Sequence, residues 1–192
     1  YTLAEVEGDA PGITYSTQEY TITVEVTDNG DGTLTPVVSA KDKDGNAVAY
    51  GQENPLEFVN TYNAEGKITF GGTKTLEGRN FQAGDAFIFD LYEVKDGAET
   101  LVDSMTLENL SAETNRADYA FDLAYDIHGE GDHSYVIKER PGDIVGVTND
   151  DKEWRFTVSV TDKGTGALAV VLLSFEEDTF DFTNVYTEVK GD

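Results

Sequence analysis

Apolar and polar residues alternate with period two along most of this 192-residue chain, and helical periodicity is almost absent. Tyr20-Thr21-Ile22-Thr23-Val24-Glu25-Val26-Thr27 is a β-branched alternating run, the pattern of a half-buried strand. It meets the turn cluster Asp28-Asn29-Gly30-Asp31-Gly32 and continues into Leu34-Thr35-Pro36-Val37-Val38, which together predict a β-hairpin. Further strands are predicted at 66–74, 86–94, 118–123, 133–140, 153–162, 167–174 and 179–188, with a single helical turn within Leu107–Asn115. Short strands separated by Gly, Asp and Asn predict an all-β sandwich. The longest apolar run, Leu168–Leu173, falls far short of the roughly 20 residues a membrane helix needs, so no membrane insertion is expected.

Composition narrows the function. Thirteen Lys+Arg against 38 Asp+Glu give a net charge of −25, which opposes nucleic acid and anionic membrane surfaces, since both are held by clustered cations. Ten Tyr, ten Phe and one Trp supply a core that a disordered acidic tail would lack. Trp154, in phase with Phe156 and Val158, is expected in that core. With no cysteine there is no disulfide, thiolate nucleophile or Cys-based zinc site. Asp28–Gly32 and Lys41–Asn46 faintly resemble calcium loops but lack the downstream Glu and flanking helices, and are expected to be hairpin turns. His128 and His133 flank Gly129-Glu130-Gly131-Asp132 and are expected to be solvated. No metal and no cofactor are predicted, and no constellation marks an enzyme active site.

The chain also repeats itself. Tyr1-Thr2-Leu3-Ala4-Glu5-Val6-Glu7-Gly8 is similar to Tyr135-Val136-Ile137-Lys138-Glu139-Arg140-Pro141-Gly142. A turn and an alternating strand follow each (Tyr20–Thr27; Trp154–Thr161), and each set ends in an aromatic-X-Asn-X-Tyr strand, Phe58–Tyr62 and Phe182–Tyr186. Residues 63–188 therefore read as one complete module, 1–62 as the C-terminal half of another whose lysine strand is missing, and 189–192 as a linker or tail.

Strand residues two apart share a face. Ile68, Phe70, Gly72, Lys74 and Leu76 form one row, Tyr135, Ile137 and Glu139 a second, and Phe180, Phe182, Asn184 and Tyr186 a third. Tyr1, Leu3, Glu5 and Leu56, Phe58, Asn60, Tyr62 repeat the last two. An amine, a carboxyl and an amide in apolar rows are costly unless they satisfy one another. One reading is an isopeptide bond. A desolvated lysine is a neutral nucleophile, a buried carboxylic acid shuttles protons, and the fold holds both against the asparagine carbonyl. Plainer roles also fit: a lysine that snorkels, a solvated glutamate at a strand end, an asparagine in a turn.

Gly72-Thr73-Lys74-Thr75-Leu76-Glu77-Gly78-Arg79, Phe87-Ile88-Phe89-Asp90-Leu91-Tyr92, Tyr135–Glu139 and Phe182–Tyr186 together resemble the pilin isopeptide-linkage modules of Gram-positive surface proteins, the family that includes streptococcal pilin backbones. The resemblance implies Ig-like β-sandwich modules in tandem, of the collagen-adhesin B kind: one complete, one a C-terminal half. It implies a Lys74–Asn184 bond assisted by Glu139. Glu5 and Asn60 match the same motif positions, but the matching lysine is absent, and Lys41 and Lys43 sit in a turn-rich loop and do not replace it. The implied role is a force-bearing stalk module on the bacterial surface, partnered by neighbouring modules, with no turnover enzyme activity and with any host ligand unspecified. A ligand-binding adhesin domain, or a split module completed by a strand from another polypeptide, are the alternatives. The Leu-Pro-X-Thr-Gly anchor signal is not in these residues.

Overall fold

The computed structural model describes residues 1–173 and 179–188. The tail expected at 189–192, and Ser174 at the end of one predicted strand, lie outside the described residues. The chain divides into two compact units, Tyr1–Asn63 with Gly164–Gly166, and Ala64–Lys163 with the chain from Ala167 on.

The first unit holds β1 (Thr2–Ala4), β2 (Ile13–Thr14), β3 (Glu19–Asp28), β4 (Leu34–Asp42), β5 (Ala47–Val48) and β6 (Thr61–Tyr62). Its larger sheet runs β1-β3-β4-β5, and β2 pairs with β6. The β3–β4 hairpin closes over Asn29–Thr33, with the Asn29 amide donating to Thr33 O. The carboxylates of the calcium-like segments are spent on turn amides: Asp28 Oδ1 accepts from Gly30, and Asp42 Oδ1 from Asp44 and Asn46. Lys41 belongs to β4 and pairs with Thr21, so only Lys43 of the two lysines lies in the loop. The inward rows drawn for this unit are at most half-buried: Tyr1 is 88% and Leu3 43% accessible, and Glu5, Leu56, Phe58 and Tyr62 are intermediate. Tyr20 and Ala40 are its buried apolar residues along the sheet, because no second large sheet among the described residues of this unit covers the face.

The second unit is a two-layer sandwich. It contains β7 (Glu65–Glu77), β8 (Phe87–Lys95), β9 (Ala98–Leu107), β10 (Arg116–Asp126), β11 (Gly131–Arg140), β12 (Val147–Thr148), β13 (Glu153–Asp162), β14 (Leu168–Leu173) and β15 (Phe182–Tyr186). One sheet has the order β10-β7-β15-β12 and the other β14-β13-β11-β8-β9. All pairs are antiparallel except β15 beside β7, which is parallel. Aromatic side chains from the two inner faces fill the core. Phe89 stacks on Tyr119 at 4.1 Å, and Phe70 meets Phe156 at 4.9 Å. Burying rings of this size drives the packing.

Two sequence expectations need correction. The helical turn is not in Leu107–Asn115; the 3-10 turn of the described residues is Ile127–Gly129, begun by the Asp126 side chain accepting from His128 N. Strand β9 went unpredicted because its residues are almost all exposed. It is an edge strand held by backbone pairing to β8, and such pairing leaves little alternation to read.

Candidate functional site

Lys74 lies on the inward row of β7, where alternation buries Phe70, Lys74 and Leu76. Gly72, two residues before it, is needed for a close approach: a Cβ there would collide with the carbonyl of Phe180 just ahead of β15. That approach lets β15 run parallel to β7 with Phe182 opposite Lys74 and Asn184 opposite Leu76. From the facing sheet, β11 brings Glu139 to the same point at the end of the row Tyr135, Ile137, Glu139. Lys74 and Asn184 are fully buried and Glu139 is 6% exposed.

One carboxyl holds both nitrogens. Lys74 Nζ lies 2.6 Å from Glu139 Oε2, and Asn184 Nδ2 donates to Glu139 Oε1 at 2.6 Å. The face of the Phe87 ring is 4.8 Å from the amine, and Phe182 and Leu76 are fully buried beside it. Burial pushes the lysine below its ordinary value and the carboxyl above its own; each partner opposes this but burial is the larger effect. The distance alone would suit an ion pair. In so dry a setting two ions are costly, and both directions favour the neutral amine with the protonated acid, the form in which an amine is nucleophilic.

The asparagine oxygen has its own donor. Asp150 N–H donates to Asn184 Oδ1 at 2.7 Å. This fixes which end of the amide is oxygen, because Nδ2 is spent on Glu139. Sequence reading missed this group, since every residue but proline carries an N–H. The findable signal was a turn-forming residue at a fixed offset from the glutamate in both halves of the repeat: Asp150 after Glu139, and Ser16, 11 residues after Glu5. An open pocket of about 280 Å³ borders Glu139, Asn149 and Asp150, so the buried cluster lies next to solvent on one side.

The first unit holds a partial version of the same arrangement. Asn60 Nδ2 donates to Glu5 Oε1 at 2.7 Å, and Ser16 N–H donates to Asn60 Oδ1 at 2.8 Å. Where the other cluster has Lys74 Nζ on its second carboxylate oxygen, Glu5 Oε2 accepts from Ser16 N at 3.2 Å. Glu5 is only half-buried and Asn60 is exposed. The strand pairings agree as well: β4-β3-β1 match β14-β13-β11, and β2–β6 match β12–β15.

Other candidates resolve into structural roles. Trp154 packs on Phe180 and Phe182 and donates to Asp181 O. His133 is not simply solvated: it bonds Glu93 and the Gly129 carbonyl and lies beside Tyr125 and Tyr135. His128 is exposed. Among the described residues no helix is long and apolar enough to cross a membrane.

The sequence model of the FctA family, described as the Spy0128-like isopeptide containing domain, matches residues 1–63 and 70–187. Among solved structures the chain is similar to the major pilin from Streptococcus pyogenes, determined as an asparagine-to-alanine mutant, at 17% identity and a TM-score of 0.26. The likeness covers 95% of this chain and 66% of that one, so the chain spans less than two thirds of the pilin's length. None of the curated proteins compared with it matches.

Proposed function

The chain belongs to the Spy0128-like isopeptide-containing domain family, and from that premise we propose that its second unit is a force-bearing stalk module stapled by an amide between Lys74 and Asn184. The observation that carries the reading is the single buried carboxyl of Glu139 touching both reacting nitrogens at 2.6 Å.

In the proposed reaction the neutral Lys74 amine attacks Asn184 Cγ. Glu139, which starts protonated, gives its proton to the departing Nδ2 and regains one from the attacking nitrogen, ending as it began. A C–N bond forms as another breaks, ammonia leaves, and no oxidant, metal or cofactor is needed. Each molecule reacts once, so this is maturation and not enzyme turnover. The resulting amide ties the first strand of the unit to the last. A pull across the unit then runs along β7 to residue 74, through the amide, and out along β15 from residue 184. The 109 residues between (75–183) carry none of it. Such a module suits the extracellular surface of a Gram-positive bacterium, in series with neighbouring modules.

Intact mass tests this directly. The chain is expected to weigh one ammonia less than its sequence, and the deficit is expected to vanish in Lys74→Ala, Asn184→Ala and Glu139→Gln. A full calculated mass for the unaltered chain would sink the cross-link.

A second reading concerns residues 1–62, which we read as the C-terminal half of another module. The Glu5–Asn60–Ser16 geometry supports it. A lysine-bearing strand added alongside could complete the sandwich by β-augmentation. Addition of a peptide spanning residues 66–78 is expected to yield a covalent adduct dependent on Asn60. No adduct with a full-mass first unit would leave Asn60 as a plain hydrogen-bonding residue.

A further inference from the structure

We propose that Asp150 is a positioning residue of this cross-linking reaction, whose side-chain turn aims its own backbone N–H at the Asn184 oxygen as the oxyanion donor. The inference rests on the isopeptide reading above and adds a group that the Lys–Glu–Asn triad does not contain.

When the amine adds to Asn184 Cγ, negative charge develops on Oδ1. Glu139 cannot neutralise it, since both its oxygens face nitrogens. The Asp150 N–H at 2.7 Å is the donor the structure provides there, and a fixed donor aimed at developing charge is the arrangement that stabilises a tetrahedral intermediate. The donor is fixed by its own side chain. Asp150 Oδ1 accepts from Lys152 N at 3.0 Å, an Asx turn, and Oδ2 accepts from Thr183 N at 2.7 Å, beside the reacting asparagine. The carboxylate thus locks the donor loop to the acceptor strand.

The first unit supplies an independent instance. Ser16 N–H meets Asn60 Oδ1 at 2.8 Å, and Ser16 Oγ accepts from Gln18 N at 3.2 Å. Both residues sit 11 positions after the glutamate (16 − 5 and 150 − 139) and make the same turn to the residue two further on. The two side chains differ in charge. What they share is a side-chain oxygen that closes the turn and a backbone N–H delivered to the amide oxygen. Electrostatics of the Asp150 carboxylate is therefore not the common element.

The test is the rate of ammonia loss in freshly translated full-length chain, quenched at intervals and read by intact mass, with folding followed separately by Trp154 emission. Asp150→Asn and Asp150→Ser keep the turn and are expected to cross-link within about threefold of the wild-type rate, whereas Asp150→Ala and Asp150→Gly are expected to be about tenfold slower or worse after folding is complete. The proposal is overturned if Asp150→Ala reacts at the wild-type rate. It is equally overturned if Asn and Ser are as slow as Ala, which would assign the effect to the charge. Failure of the isopeptide reading itself looks different: the wild-type chain would lose no ammonia at any time.

Discussion

Replacing Lys74 by Met removes the amine and nearly preserves the shape of the buried side chain, so it isolates what the cross-link contributes. Lys74 and Asn184 enclose 109 residues (75–183). Restricting the unfolded chain by a loop of that length stabilises the fold by about 5 kcal/mol in the chain-entropy treatment used for disulfides. For a unit of roughly 125 residues, an unfolding entropy of about 2.1 cal/mol/K per residue turns this into a fall of about 18 °C in Tm. Two structural effects adjust the figure. Met packs against Phe87, Leu76 and Phe182 without the cost of burying the polar amide of the cross-link, which returns about 1–2 kcal/mol. Glu139 keeps the Asn184 Nδ2 donor at Oε1, while its Oε2 loses the nitrogen it faced. The net expectation is a drop of about 10–15 °C, measured by calorimetry alongside intact mass. A Lys74→Met chain of full mass that melts within about 3 °C of a cross-linked wild type would refute the reasoning, because closing a loop of this length is expected to shift Tm several times further.

Two further predictions follow from charge and burial. The reactive pair holds one shared proton. Acid adds a second and converts Lys74 to ammonium, while alkali removes it and leaves Glu139 without a proton to give. The cross-linking rate is therefore expected to be bell-shaped in pH, with its acid limb set by protonation of the pair and its alkaline limb by deprotonation; a rate rising steadily into alkali would remove Glu139 as the acid. Elsewhere, Arg79 donates to both oxygens of Asp85, at 2.6 and 3.0 Å, and this holds the Asp85 carboxyl below its ordinary value. A depressed folded-state value gives stability that is present above the unfolded value and lost as pH falls through the folded one. Asp85→Ala is expected to destabilise by about 2–4 kcal/mol at neutral pH, with the difference from wild type shrinking in strong acid on denaturant titration.

Period-two alternation was enough to read most of the second unit's strands and the inward parity of Lys74, Glu139 and Asn184, because burial selects every second side chain wherever one face is covered. It misled in the first unit, where Tyr1 and Leu3 carry the pattern and stand exposed; parity names a face but not what packs on it. Strand β9 escaped because backbone pairing at an edge selects no side chains.

What the sequence by itself determined, then, was the all-β class, the repeat and the chemical identity of an amine, an acid and an amide in apolar rows. Only the tertiary structure decided that β15 lies parallel to β7, that a carboxyl from the opposite sheet bridges both nitrogens, and that the Asp150 N–H serves the oxygen. The physical reason is that side-chain patterning records burial one residue at a time. Strand adjacency is set by hydrogen bonds between backbones, and these carry no residue-specific signature.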